Sequence, residues 1–241
     1  MIPSTWFRRL ILALAILEFA GAVMWLATRL VPNPADKAFA QTVAGMVFLL
    51  GFYACAPLSA RFLAPKPSSN GPLLARLREI ALALPARWPV TLYDHRDVNA
   101  ITVGIIERHS RVYVTSGLMA CVSDKGLKGI LAHEETHVRE HHILTTFTYA
   151  CAYALLAHYV SSNKVFLLGF VGFMTLRRYL EYRADAGGAA SAGREAMLTA
   201  LHELKAVYKE QRWTRWLMFA MPYPSLSMRI AALQTGRRPL F

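Results

Sequence analysis

Long apolar runs dominate the pattern of hydrophobic and polar positions at the start of the chain. Leu10 to Val31 is apolar for about 22 residues, enough to cross a hydrocarbon core of roughly 30 Å. Phe39 to Ala60 is a second such run, and a Pro-Asn-Pro turn at residues 32–34 separates the two. Basic residues at 8–9 and small residues at 20–22 resemble a signal peptide, but the apolar run continues well past them. The pattern therefore predicts an uncleaved anchor of two transmembrane helices.

A second apolar pair later in the chain is weaker. Ile143 to Val160 contains several threonines and a histidine, and Lys164 to Leu180 has a purely apolar centre of only residues 165–176. These lengths are marginal for membrane spans, so we expect a hairpin that is tilted, re-entrant or packed against the first pair. A buried helical hairpin within a globular core is the alternative.

Shorter periodicities predict a small α+β domain in the polar parts of the chain. Alternating residues and a turn at 107–110 are typical of strands over Val90–Tyr93, Val98–Ile106 and Arg111–Thr115. Helical spacing, with Ser123-Asp124 as one capping signal, predicts further helices. These cover Leu73–Leu84, 123–142, Arg177–Gly187 and Ala196–Arg212, and Trp213 and Trp216 beyond them suit a membrane interface or helix packing.

Composition narrows the class of protein, and the distribution of basic residues predicts its orientation in the membrane. Of the 241 residues 55% are hydrophobic and only 17% charged, which excludes a disordered chain, a coiled coil and a small disulfide scaffold. The net charge is +12, but the basic residues flank the apolar runs and form no stripe interleaved with aromatics. We therefore expect a lipid bilayer and no nucleic acid as the partner. By the positive-inside rule the N-terminus and the polar domain face the cytoplasm.

His133-Glu134-Glu135-Thr136-His137 is the segment that carries chemistry. On a helix, positions i and i+4 share one face about 6 Å apart along the axis. Two imidazoles so placed can both reach one zinc ion at about 2.0–2.1 Å. The metal would lower the pKa of a water molecule, and Glu134 could take its proton and deliver it to a leaving amine. The spacing predicts the HExxH site of a metalloprotease.

Zinc held by two histidines needs a third protein ligand. His141 does not qualify, because it would lie about 12 Å from His133 along a straight helix. We interpret His141 and His142 as polar residues at a membrane interface. Glu181 is the better candidate, and Asp185 on the same helical face could orient a ligand histidine from behind. A solvated acidic face is the alternative.

Several further motifs accompany these residues, and together with them the chain resembles a known family. It is similar to the HtpX-type integral-membrane zinc metalloproteases, which are related to the CAAX prenyl proteases. The motifs are Asn99-Ala100, Val112-Tyr-Val-Thr-Ser-Gly-Leu118, Leu131-Ala132 before the HExxH segment, Glu181-Tyr-Arg-Ala-Asp185, and Pro224-Ser-x-x-x-Arg229-Ile230.

The resemblance implies one zinc ion per chain, with His133, His137 and Glu181 as ligands and Glu134 as the general base. It also implies a mainly helical α+β fold, in which a membrane hairpin interrupts a small zincin-like catalytic domain with a short β-sheet. We expect four parts: a two-helix anchor over 1–64, the first part of the catalytic domain over 65–142, the hairpin over 143–180 and the second part over 181–241.

Three positions depart from the family pattern. Glu135 places a charge where the family usually has an uncharged residue. Tyr223 stands where a histidine commonly precedes the proline, and Thr102 replaces a small residue in the Asn-Ala strand. None of these changes removes a metal ligand, but the last two leave the substrate preference open.

The sequence favours a membrane-embedded zinc endopeptidase that hydrolyses peptide bonds by metal-activated water. We expect it in the inner (cytoplasmic) membrane as a multi-pass protein, with its site facing the cytoplasm and membrane proteins or unfolded polypeptides as quality-control substrates. Arg229, Tyr223 and Tyr182 are candidate donors to the oxyanion. Asn99 and Ala100 could bind substrate backbone by strand addition, although Asn99 also suits a turn.

Two other function classes remain open at this point. One is a signalling regulator whose metalloprotease domain acts on itself or on one partner. The other is a catalytically silent zinc-binding scaffold, against which the intact Glu134 argues, because a scaffold needs no base.

Overall fold

The computed structural model describes residues 6–31, 33–63, 67–85, 89–105, 107–160, 162–208 and 222–239. The strands are β1 (Val90–Tyr93), β2 (Ala100–Val103) and β3 (Arg111–Thr115). The helices are α1 (Trp6–Leu30), α2 (Pro34–Ala54), α3 (Ala56–Leu63), α4 (Gly71–Leu82), α5 (Ser116–Cys121), α6 (Asp124–Arg139), α7 (His142–Tyr159), α8 (Asn163–Ala192), α9 (Arg194–Val207) and α10 (Leu226–Thr235). The predicted interfacial residues Trp213 and Trp216 lie outside the described residues.

The first two helices correspond to the predicted anchor. Within α1 and α2, Phe7–Leu30 and Asp36–Ala54 are long and apolar enough to cross a membrane. The two helices pack against each other, with the rings of Phe19 and Phe48 5.7 Å apart. Large apolar side chains on α1, Trp25 among them, point outward, which suits a lipid environment.

Helices α7 and α8 form the predicted hairpin, and it packs against α2. The Tyr149 hydroxyl donates to the Gly169 carbonyl at 2.9 Å and closes the hairpin. Among the described residues, neither helix meets the length and composition that mark α1 and α2 as candidate spans. Apolar side chains at the tip, residues 166–168, are 61–70% exposed, so the tip is not covered by the rest of the described chain.

Helix α8 is one continuous helix, where the sequence pattern suggested two overlapping segments. It runs for 30 residues, so it is about 45 Å long. Its first half belongs to the hairpin, and its second half enters the polar domain, where residues 180–182 and 184–185 are buried. The expected boundary at residue 180 therefore falls inside a helix.

A three-stranded sheet with the order β1-β3-β2 supports the polar domain. β1 is parallel to β3, whereas β2 is antiparallel and pairs Ala100 with Val114. β2 ends at Val103, earlier than predicted, because Gly104 adopts a φ of +117° that a side chain would resist. The core beneath the sheet combines α4, α6 and α9, and includes Leu77, Leu92, Val114, Leu127, Leu131 and Leu201.

Helix α6 begins and ends through specific local contacts. The Ser123 hydroxyl accepts from the Gly126 N–H at 3.1 Å and caps its N-terminus, as predicted. The helix ends at Arg139, before the expected His142, because His141 takes a left-handed φ of 53°. This break turns the chain and starts α7 at His142.

Candidate metal centre

His133, His137 and Glu181 lie together at the contact between α6 and α8. The Nε2 atoms of the two histidines are 3.1 Å apart. Glu181 Oε2 is 3.6 Å from His133 Nε2, and Glu181 Oε1 is 3.7 Å from His137 Nε2. One ligand atom from each residue falls within 4.8 Å of the others, so the three residues predicted as zinc ligands form one cluster.

The spacing of these atoms can be compared with that of a tetrahedral zinc site. Bonds of about 2.0–2.1 Å at tetrahedral angles place neighbouring ligand atoms about 3.3 Å apart. The two histidine nitrogens, 3.1 Å apart, lie close to that value, and each of them lies 3.6–3.7 Å from a different oxygen of the Glu181 carboxylate. Two imidazole nitrogens and one carboxylate are also a donor set that zinc commonly takes, so the residues fit the ion.

Close packing of two helices brings the third residue to the first two. His133 and His137 share a face of α6 because they are four residues apart. On α8, a Cβ at Gly188 would lie only 3.1 Å from the His133 nitrogen and 3.0 Å from Met197 Sδ. Glycine at this position lets the backbones approach, and Glu181, two helical turns earlier on α8, comes within reach of both histidines.

Asp185 holds His133 from behind, in the place that the sequence predicted for it. Its Oδ1 is 2.9 Å from His133 Nδ1, which leaves Nε2 directed at the centre. Arg229 on α10 donates to the same carboxylate twice, from Nε at 2.8 Å and Nη2 at 2.6 Å. Burial opposes ionisation, but the charge and hydrogen bonds of Arg229 and His133 outweigh it and hold the pKa of Asp185 far below its usual range.

The three candidate oxyanion donors take different positions. Arg229 reaches the centre, with Nη1 3.5 Å from Glu181 Oε2. Tyr223 is exposed, hydrogen-bonds to Arg177 through its hydroxyl and lies with its ring beneath that guanidinium at 4.8 Å. The hydroxyl of Tyr182 donates to the Pro239 carbonyl at 2.8 Å. Only Arg229 therefore contacts the candidate metal ligands through the bonds described.

Glu134 faces β2, one of the two edge strands of the sheet. The Thr102 hydroxyl donates to Glu134 Oε2 at 2.6 Å and lies 3.3 Å from the Glu134 carbonyl oxygen. In the sequence, Thr102 stands out only as a departure from the family pattern. In the structure, its hydroxyl contacts Glu134, the candidate base. Asn99 and Ala100 stand at the start of the same strand, where the backbone of Asn99 pairs with Thr115.

The interpretation of His142 as a polar residue at a membrane interface is wrong. It is buried, and its Nδ1 lies 2.8 Å from Nδ1 of His137. Its Nε2 is 3.3 Å from Glu140 Oε2, and Glu140 accepts two hydrogen bonds from Arg183 at 2.8 and 3.0 Å. On a continuous helix, five residues would turn His142 about 140° away from His137. The break in the helix at His141 removes that offset. No pattern in the sequence predicts this break.

The pKa of His137 supports a role as a neutral ligand. Burial first, and then the nearby positive groups, hold the pKa of His137 well below its ordinary value. The imidazole is therefore unprotonated near neutral pH, which is the form that binds metal.

Comparison with known proteins gives the family. Residues 73–237 match the model of peptidase family M48. Protease HtpX of Pasteurella multocida (strain Pm70) is 31% identical over 186 residues, which cover 60% of this chain and 65% of that protein. Protease HtpX of Escherichia coli O1:K1 / APEC is 27% identical over 206 residues, 66% of this chain and 69% of that one.

A solved structure supports the fold. The crystal structure of S. mikatae Ste24p matches with a TM-score of 0.68 at 19% identity, over 94% of this chain and 64% of that one. This chain thus spans just under two thirds of Ste24p and of the Pasteurella relative. The predicted mainly helical α+β fold and the resemblance to HtpX-type proteins are confirmed. Because the family model covers more than half of its length, the chain belongs to peptidase family M48.

Proposed function

We propose that this protein is a membrane-anchored zinc metalloendopeptidase that hydrolyses peptide bonds with water. One observation carries the proposal. His133, His137 and Glu181 form one cluster of possible metal ligands, and the carboxylate of Glu134 follows His133 directly on α6.

His133 and His137 would hold zinc through Nε2, and Glu181 through its carboxylate. When bound, the ion would lower the pKa of a water molecule toward 7 and polarise the scissile carbonyl. Asp185 fixes the orientation of His133, and its pairing with Arg229 keeps it ionised for that task.

Glu134 acts as the general base and then as the general acid. It takes a proton from the attacking water and returns it to the leaving amine. The Thr102 hydroxyl binds one of its carboxylate oxygens and leaves the other for the water. Arg229 is the proposed donor to the developing oxyanion, since its Nη1 already reaches the cluster, whereas Tyr223 would first have to leave Arg177.

The substrate would bind as an extended strand along β2. This strand pairs with β3 on one side only, and Thr102 on it touches Glu134. A substrate strand that pairs with β2 from Asn99 and Ala100 onward would therefore place one of its own peptide bonds near Glu134, the candidate base. The anchor and the exposed hairpin tip support substrates at the membrane, namely membrane proteins or unfolded polypeptides. We further propose a quality-control role and, from the positive-inside distribution of basic residues, a site on the cytoplasmic face of the inner membrane.

Cleavage of casein by the purified full-length chain with added zinc tests the proposal. Wild type should cleave, and Glu134→Gln, which keeps all three candidate ligands, should bind zinc equally well but lose cleavage. Glu79→Gln, an exposed carboxylate on α4, is the matched control and should cleave as wild type does. Equal cleavage by wild type and Glu134→Gln would contradict the proposal. Zinc binding without cleavage by any form would favour the scaffold alternative.

A further inference from the structure

A cavity of about 510 Å³ lies between α4, β1 and α6, away from the metal centre. Ligand pockets in proteins commonly measure about 300–1,000 Å³ and are mostly apolar with few polar groups. The walls of this cavity follow that pattern. Its apolar lining includes Leu74, Leu77, Ala81, Leu92 and Leu131.

Glu135 is the acidic residue of the lining, and it is buried to 2% exposure. It lies two positions after His133, so it points about 200° around the helix from that ligand. Its Oε1 is 3.3 Å from Arg139 Nη1. Its Oε2 is buried and has no hydrogen-bond partner in the part of the chain that the structure describes.

An unsatisfied carboxylate oxygen in an apolar cavity needs a partner. Burial of a charged group without its full set of hydrogen bonds is costly, so a buried oxygen with no partner in the chain calls for one from outside it, such as water, an ion or a ligand. Arg139 contacts only one of the two carboxylate oxygens, Oε1. A donor arriving through the cavity would satisfy the other.

We propose that this cavity binds a small amphiphilic amine, with its ammonium group on Glu135 Oε2 and its hydrocarbon chain against the apolar walls. An ammonium group donates up to three hydrogen bonds and forms a charge-assisted bond with a carboxylate, which is stronger than a neutral one. Arg78 also lines the cavity, but it is exposed to solvent, whereas Glu135 is buried, so a fatty carboxylate of the same length would place like charges together at the buried end. The inference goes beyond the peptidase proposal, since it uses neither the metal ligands nor Glu134.

Hexylamine, hexan-1-ol and hexanoate form a matched series of probes that share a chain and differ in the head group. Their binding to the full-length chain in lipid nanodiscs can be measured by saturation-transfer difference NMR, with empty nanodiscs as the blank. Hexylamine should bind, and it should bind about tenfold more tightly than the alcohol, because its hydrogen bond is charge-assisted. Hexanoate should not bind.

Two variants and one control complete the test. Glu135→Gln keeps the shape of the side chain and should weaken hexylamine binding about tenfold, while Glu79→Gln on the exposed face of α4 should leave it unchanged. Ala81→Leu, which narrows the cavity without touching a charge, should weaken binding of the amine and the alcohol alike. Equal binding of all three probes, amine binding that survives Glu135→Gln, or no binding to wild type would overturn the proposal, the last leaving water as the occupant.

Discussion

Nδ1 of His142 lies 2.8 Å from Nδ1 of His137. The buried His142 thus contacts the second candidate metal ligand on the side away from the metal, as Asp185 contacts His133. From His142 the contacts continue to Glu140 and then to Arg183 on α8. A neutral His137 that binds metal through Nε2 carries its proton on Nδ1 and donates it to His142. The chain of contacts thus fixes both the tautomer and the orientation of His137.

Removing His142 should therefore weaken metal binding. In His142→Ala, His137 loses the acceptor of its Nδ1–H, and we expect zinc affinity to fall roughly 10–100-fold, as is typical for such partners. Competition with a zinc-chelating dye measures this without any substrate. His141→Asn, at the exposed neighbouring position, tolerates the left-handed backbone and should bind zinc nearly as wild type does. Unchanged affinity in His142→Ala would show that the contact does not position the ligand.

The Thr102 hydroxyl should matter for the rate of cleavage more than for substrate binding. Thr102→Val keeps the shape of the side chain but removes the donor to Glu134. A hydrogen bond to a charged group contributes about 1.5–3 kcal/mol, so we expect kcat to fall about tenfold or more with little change in KM. Thr102→Ser should retain most of the activity. A loss in Thr102→Ser as large as that in Thr102→Val would assign the effect to packing of the methyl group.

Gly129 sets the distance between α6 and α9. A Cβ at this position would lie 2.5 Å from the Ala196 carbonyl oxygen and 2.8 Å from its carbon, which are backbone atoms that cannot rotate away. Gly129→Ala should lower the free energy of unfolding by about 1–3 kcal/mol, as overpacking typically does. Denaturant titration followed by circular dichroism measures the change. Gly45→Ala on α2, where nothing lies within 4 Å of the added Cβ, should show no loss.

The ion pair of Glu140 with Arg183 should give a pH-dependent contribution to stability. Burial acts to raise the pKa of Glu140, but the hydrogen bonds from Arg183 and His142 lower it more, so the pKa in the folded state is depressed. The stabilisation is then present above the unfolded pKa of about 4.3 and is lost as the pH falls through the folded value. Because both side chains are partly exposed, we expect about 1 kcal/mol or less.

Glu140→Gln tests this relation. Its unfolding free energy should lie below that of wild type near neutral pH, and the two curves should converge in acid. Parallel curves across the whole pH range would show that the carboxylate contributes no pH-dependent stability.

The sequence predicted the groups that local spacing controls. The i,i+4 relation placed His133 beside His137 and Glu181 beside Asp185, and alternation located β1 and β3. It could not predict contacts that depend on a break or on packing between distant elements. The left-handed His141 turned His142 inward, and the pairing of β2 with β3 brought Thr102 to Glu134. Likewise, the sequence shows Glu135 only as a charge where the family usually has an uncharged residue, and it does not predict the cavity that Glu135 lines.

The continuity of α8 has a mechanical consequence. Helix α8 starts at Asn163 in the hairpin and also carries Glu181, about 27 Å further along its axis. We propose that the hairpin lies in lipid, in which case a change in its tilt would be transmitted along this continuous helix to Glu181. The third candidate ligand would then follow the tilt of the hairpin, whereas the two histidines stand on α6, which packs into the polar core. On this proposal, the thickness of the bilayer would affect the geometry of the metal centre.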